Sequence, residues 1–115
     1  MKNKVNILGT EYTIKRPRAA DDPKIAESCD GYCDTSAKLL VVEAFEPDPK
    51  SKADLEAYSK QVLRHEIIHA FMFESGLDNC SFCYDGSWAT NEEMVDWFAI
   101  QSPKILKAFE DVGCL

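Results

Sequence analysis

Two histidines four residues apart, His65 and His69, fall inside a run whose apolar positions recur at helical spacing, and no other feature constrains the chain as much. Leu55, Tyr58, Val62, Leu63, Ile67, Ile68, Phe71 and Met72 mark that run. Ser51 can cap it, Asp54 suits its first turn, and Gly76 can end it. The pattern predicts one helix over roughly 52–75, about 35 Å long at the standard rise. On a helix the i, i+4 spacing puts both imidazoles on one face, one turn apart. Two neutral imidazoles so placed can hold one tetrahedral metal ion. Glu66, next to the first imidazole, can take a proton from water on that metal. The flanking sequence Val62-Leu63-Arg64-His65-Glu66-Ile67-Ile68-His69-Ala70-Phe71 keeps the spacers and the position after His69 uncharged, as a helix buried around its ligands requires. The plain alternative is two histidines that share a face by chance.

These are the only two histidines of the chain, so a third protein ligand has to be a carboxylate or a thiolate. A second helix is predicted to start near Thr90, because Thr90-Asn91-Glu92-Glu93 fits a capping box, and to run through Met94, Val95, Trp97, Phe98 and Ile100. Glu92 is the candidate ligand. Asp96, one turn on, can accept the outer N–H of a liganding histidine and fix its tautomer. Glu93 falls where the capping box would use it. The competing explanation for both glutamates is an acidic first turn favoured by the helix dipole. Ser102-Pro103 reads as the restart of a final short helix, ended by Gly113.

Ahead of the helices the pattern changes. Residues 4–15 alternate in part, through Val5, Ile7, Tyr12 and Ile14, and predict a β-hairpin turning at Gly9-Thr10. Residues 16–28 read as a loop or short helical turn, Asp30-Gly31 as another turn, and Leu39–Val42 as a strand. Residues 46–50 form a Pro-containing linker, and 76–89 a polar loop. Strands first and helices later predict an α+β fold: a small antiparallel sheet, then a long site-bearing helix and a second, glutamate-bearing one. At 115 residues this is one domain, 1–115.

The formal charge of −7 repels phosphate backbones, so a nucleic-acid partner is not expected. No apolar run approaches a membrane span, and the first residues lack the apolar stretch of a signal peptide. A cytoplasmic, intracellular location is the expectation. The five cysteines, an odd number, argue against a disulfide framework. Cys29-x-x-x-Cys33 and Cys80-x-x-Cys83 together have the composition of a four-thiolate structural zinc site; a redox pair or unpaired thiols are the alternatives. Such a site would pin the 76–89 loop to the sheet side. Phe71, Phe73, Trp97 and Phe98 are expected in the core, as is Trp88 unless it lines a substrate pocket.

The motif His65–His69 followed by Asn91-Glu92-x-x-x-Asp96 resembles the gluzincin pattern of thermolysin-like peptidases. From the Asp30-Gly31 turn onward the chain is similar to the minimal zincin-like metallopeptidases found among phage and prophage proteins. That resemblance implies zinc bound by His65, His69 and Glu92, with Glu66 as the base and Asp96 supporting a ligand. It implies hydrolysis of a peptide or protein substrate by Glu66-assisted attack of zinc-bound water, the substrate lying along an edge strand such as 39–42. The chain departs from the thermolysin-like pattern in having no further histidine for the developing oxyanion. Tyr84, Tyr32 or the metal would have to serve. Hydrolysis of a non-peptide amide needs the same chemistry. The non-enzyme alternative is a catalytically weak zincin that binds metal and serves as an interaction module.

Overall fold

The computed structural model describes residues 3–49, 53–77 and 91–112. The fold is α+β, with a four-stranded sheet and, among the described residues, two long helices. Strands β1 (Lys4–Ile7) and β2 (Thr10–Lys15) form the expected hairpin. Its turn lies one residue earlier than Gly9-Thr10 suggested. Leu8 (φ 50°) and Gly9 (φ 93°) both take positive φ, as a two-residue turn matched to strand twist requires. The Asn6 side chain accepts the Gly9 amide at 2.8 Å.

After β2 the chain makes a 3-10 turn (Ala19–Asp21) and helix α1 (Pro23–Ser28). Pro23 opens α1, and the Asp22 carboxylate caps it by accepting the Lys24 and Ile25 amides. Strand β3 (Gly31–Asp34) follows where a turn was expected. Asp30-Gly31 has local turn preference, but pairing with β4 (Leu39–Val42) overrides it: Gly31 faces Val42, and the Asp30 carbonyl accepts the Glu43 amide at 2.8 Å. Asp34 makes the turn between them, accepting the Ser36 and Ala37 amides.

The strand order is β1-β2-β4-β3. The chain passes from β2 to the outer edge, then returns through β4 into the middle. Consequently β4 pairs with β2 in parallel, Ile14 facing Leu40, and the sheet is mixed rather than wholly antiparallel. The run Leu39–Val42 is therefore an interior strand, not the edge strand expected, and Leu40, Val41 and Val42 are all buried. β3 occupies the edge.

Helix α2 (Leu55–Glu74) crosses the sheet. Asp54 caps it, accepting the Ala57 amide at 3.0 Å, in place of Ser51, which lies outside the described residues. Gly76 (φ 84°) ends it as expected. Its buried positions are Val62, Glu66 and Ala70, one stripe at spacing four. Ala70 joins Ile7, Tyr12, Ile14 and Leu40 in the core, with Leu63 and Ile67 against them. At its far end Glu74 accepts bonds from Tyr12 Oη (2.8 Å), Thr10 Oγ1 (3.3 Å) and Lys38 Nζ (2.6 Å), tying the helix to β2 and to the residue before β4.

Helix α3 (Glu92–Val112) packs on α2 through fully buried Val95 and Ala99. Its cap is Asn91, which accepts the Met94 amide at 2.9 Å, so Glu93 is one position short of where a capping box would use it. Contrary to the expected restart at Pro103, α3 is continuous through that residue. Proline has no N–H for the carbonyl four residues back, here that of Ala99. A buried carbonyl left without a donor costs about 1–3 kcal/mol. Arg64 supplies the donor: its Nε lies 2.6 Å from the Ala99 oxygen.

The aromatic residues are less buried than expected. Phe71 and Trp97 are exposed, while Phe73 and Phe98 are half-buried; Trp88 lies outside the described residues. Phe71 is one residue round from the Ala70 stripe, and Trp97 points away from the Val95–Ala99 stripe. No helix among the described residues is long and apolar enough to cross a membrane.

Gly31 marks where β3 comes closest to α2. A Cβ there would stand 2.6 Å from the Val41 carbonyl oxygen and 2.8 Å from Val62 Cγ1. Gly31→Ala should therefore force β3 away from the helix and destabilise the fold by about 1–3 kcal/mol, read as a lower denaturation midpoint. An unchanged midpoint would mean that the strand moves freely.

Candidate metal centre

The stripe that buries α2 against the sheet turns His65 and His69 toward the α3 side, with Glu66 between them and the sheet. His65 and His69 Nε2 are 3.0 Å apart. Glu92 closes a triangle: its Oε2 lies 3.0 Å from His65 Nε2 and its Oε1 3.1 Å from His69 Nε2. Glu92, not Glu93, faces the histidines; Glu93 borders a separate depression with Asn91, Met94 and Trp97. Asp96 Oδ1 lies 2.5 Å from His65 Nδ1. Four of the expected residues from two helices are thus together: His65, His69, Glu92 and Asp96.

The hydrogen bonding tests whether a metal fits. An ionised Asp96 only accepts, so His65 Nδ1 carries the hydrogen. On a neutral imidazole that leaves His65 Nε2 as a bare lone pair, aimed at a carboxylate oxygen. Two acceptors at 3.0 Å need a positive charge between them, a proton or a metal ion. Two imidazole nitrogens and one carboxylate oxygen, with the first imidazole fixed by an outer carboxylate, are a donor set suited to a divalent metal that retains an open position. The residues fit.

Glu66 is only 4% exposed and is the one charged residue fully buried among those described. Its ligand oxygen and the two imidazole nitrogens lie within 4.8 Å of one another. Burial pushes its carboxyl up to about 7; the charge of His65 opposes the rise, and Glu92 and Asp96 add to it. A carboxyl poised there can both take and return a proton near neutral pH.

Two clefts meet at His65, Glu66 and Glu92. One runs along β3, past Gly31, Tyr32 and Cys33, to Met72 and Phe73. The other holds Asp30, Tyr58, Gln61 and Asp96. Tyr58 donates its hydroxyl to Asp30. In the sequence Tyr58 and Asp30 fall only in helix and turn patterns, and nothing local marks them as cleft residues. Tyr32 reaches the first cleft, but its hydroxyl is donated to Asp22 at 2.8 Å, and burial with that bond pushes its pKa up to about 12. Tyr84 lies outside the described residues.

Cys29 and Cys33 carry free thiols and line the same cleft as the histidines. Cys29 Sγ donates to the Lys24 carbonyl at 3.4 Å, and Cys33 packs against the core. Burial raises both thiols, Cys33 up to about 12, with Glu66 adding to each, so both hold their protons. Their expected partners Cys80 and Cys83 lie outside the described residues.

Comparison of the chain with protein-family models, with curated proteins and with solved structures gave no match.

Proposed function

We propose that this chain is a zinc-dependent peptidase of the small zincin-like kind, cleaving peptide or protein substrates. The observation that carries the reading is the triangle of His65, His69 and Glu92 donor atoms beside a buried glutamate. Zinc bound by those three residues would supply a Lewis acid and lower the pKa of water to about 7. Asp96 holds the His65 imidazole in the tautomer that leaves Nε2 as a ligand. Glu66 takes the proton of the attacking water and returns it to the leaving amine. Its burial beside the ligand atoms places it for both halves of that task. An extended substrate would pair along the edge strand β3, which borders the cleft, rather than along 39–42.

One observation favours a second reading. No third histidine exists, and the Tyr32 hydroxyl is engaged by Asp22, so among the described residues no side chain is left for the oxyanion and the metal would serve it. That suits a weakly active or inactive zincin serving as a metal-binding interaction module.

Metal analysis of the purified chain, with cleavage of an unfolded protein substrate in the presence and absence of chelator, separates the readings. The peptidase reading expects zinc bound through the triangle and cleavage that chelator stops and zinc restores. Bound zinc without chelator-sensitive cleavage supports the interaction module. A chain that takes up no zinc at its histidines overturns both.

A further inference from the structure

Glu92 and Asp96 have side chains 67% and 57% exposed, so their own burial does not hold them at the histidines. The packing of α3 on α2 has to do it. Val95 and Ala99 bury one stripe of α3, but apolar contact is non-directional and does not fix how far one helix has slid along the other. Beyond the bonds of the site itself, a directional contact joins these helices: Arg64 Nε to the Ala99 carbonyl, 2.6 Å.

Three facts make this contact more than a chance surface bond. The Ala99 oxygen is available because Pro103 cannot bond it from within the helix. Ala99 is fully buried, so water does not serve that oxygen. Glu92, Asp96 and Ala99 follow at i, i+4 and i+7, on one face of α3, while Arg64 directly precedes His65 on α2. A slip of one turn at Ala99 would carry both carboxylates away from the imidazoles by the same distance.

We propose that Arg64 is a positioning residue: by donating to the carbonyl that Pro103 frees, it sets the register of α3 on α2 and so delivers Glu92 and Asp96 to the histidines. This rests on the metal-site reading for its purpose, but the clasp itself can be measured without metal.

The test uses the full chain and the variants Arg64→Met, Glu92→Ala and their double. Zinc affinity, by competition with a chromophoric chelator, should fall about 10–100-fold in Arg64→Met, the range for losing an outer support of a ligand. In the Glu92→Ala background the same substitution should cost clearly less, because of the two carboxylates it positions only Asp96 remains. In the metal-free chain, the downfield proton resonance of His65 Nδ1–H, held by Asp96, should be present in the wild type and lost in Arg64→Met. An equal loss of affinity in both backgrounds would show general loosening and overturn the proposal. Absence of the resonance from the wild type, or its persistence in the variant, would do the same. Should Arg64→Met not fold, Arg64→Gln, polar but too short for the carbonyl, takes its place in all measurements. A wild-type chain that takes up no zinc removes the peptidase reading, and the proton resonance then decides the clasp.

Discussion

Glu66→Gln should retain zinc and lose hydrolysis. Glutamine matches the shape of glutamate, so the packing beside Val62 and beneath Gly31 is kept. What it lacks is the ability to accept a proton. Removing a positioned general base costs typically about 10²–10⁴ in rate, and here no second base is buried at the triangle among the described residues. Folding should not suffer: burying a neutral amide is less costly than burying a carboxylate that its surroundings discourage from ionising. The expected combination is therefore unchanged zinc content, a melting temperature equal to or above that of the parent, and cleavage at background. Cleavage at the parent rate would remove Glu66 from the chemistry.

His69→Ala should abolish stable metal binding. His69 is the cleaner of the two imidazoles to remove, because His65 also bonds Asp96 and its loss would disturb α3. Without His69 the triangle keeps one imidazole and one largely exposed carboxylate. Asp96→Asn provides the scale. It weakens only the support of a ligand and should reduce affinity about 10–100-fold, whereas His69→Ala should exceed that range. Titration of the three proteins with zinc against a chelator gives the ranking. Equal affinities for His69→Ala and the parent would place any bound metal elsewhere, with the thiols of Cys29 and Cys33 the first place to look.

The site was legible where it depended on local periodicity. His65, Glu66 and His69 were readable because a helix of period 3.6 turns an i, i+4 pair onto one face, and the apolar repeat around them left no doubt about the helix. Glu92 was reached by an argument only half of which holds. It faces the histidines as expected, yet Glu93 was set aside for a capping role that Asn91 performs alone. What depended on distant pairing was not legible. β3 has four residues, begins with a local turn signal and shows no alternation, so its pairing with β4 creates it as a strand. The parallel β2–β4 contact follows from the order in which the chain fills the sheet, which no single segment encodes. The Arg64–Ala99 bond joins residues 35 positions apart and has no sequence pattern. Pro103 was its one local trace: a proline within a helical repeat implies a freed carbonyl four residues earlier, and so a donor somewhere to meet it.

Glu74, at the end of α2, gains a consequence when set beside Arg64. Helix α2 is pinned by directional bonds at Tyr58 to Asp30, at Arg64 to α3, and at Glu74 to the sheet through Tyr12, Thr10 and Lys38. His65 and His69 both fall in the span between the pins. A rod bends least between its fixed points, and its end absorbs the motion. That end is the first turn, Leu55–Ala57, which can fray without disturbing the imidazoles. The stiffest part of the helix is thus the part that carries the two imidazoles, and amide protons over residues 65–73 should outlast those of the first turn in hydrogen exchange.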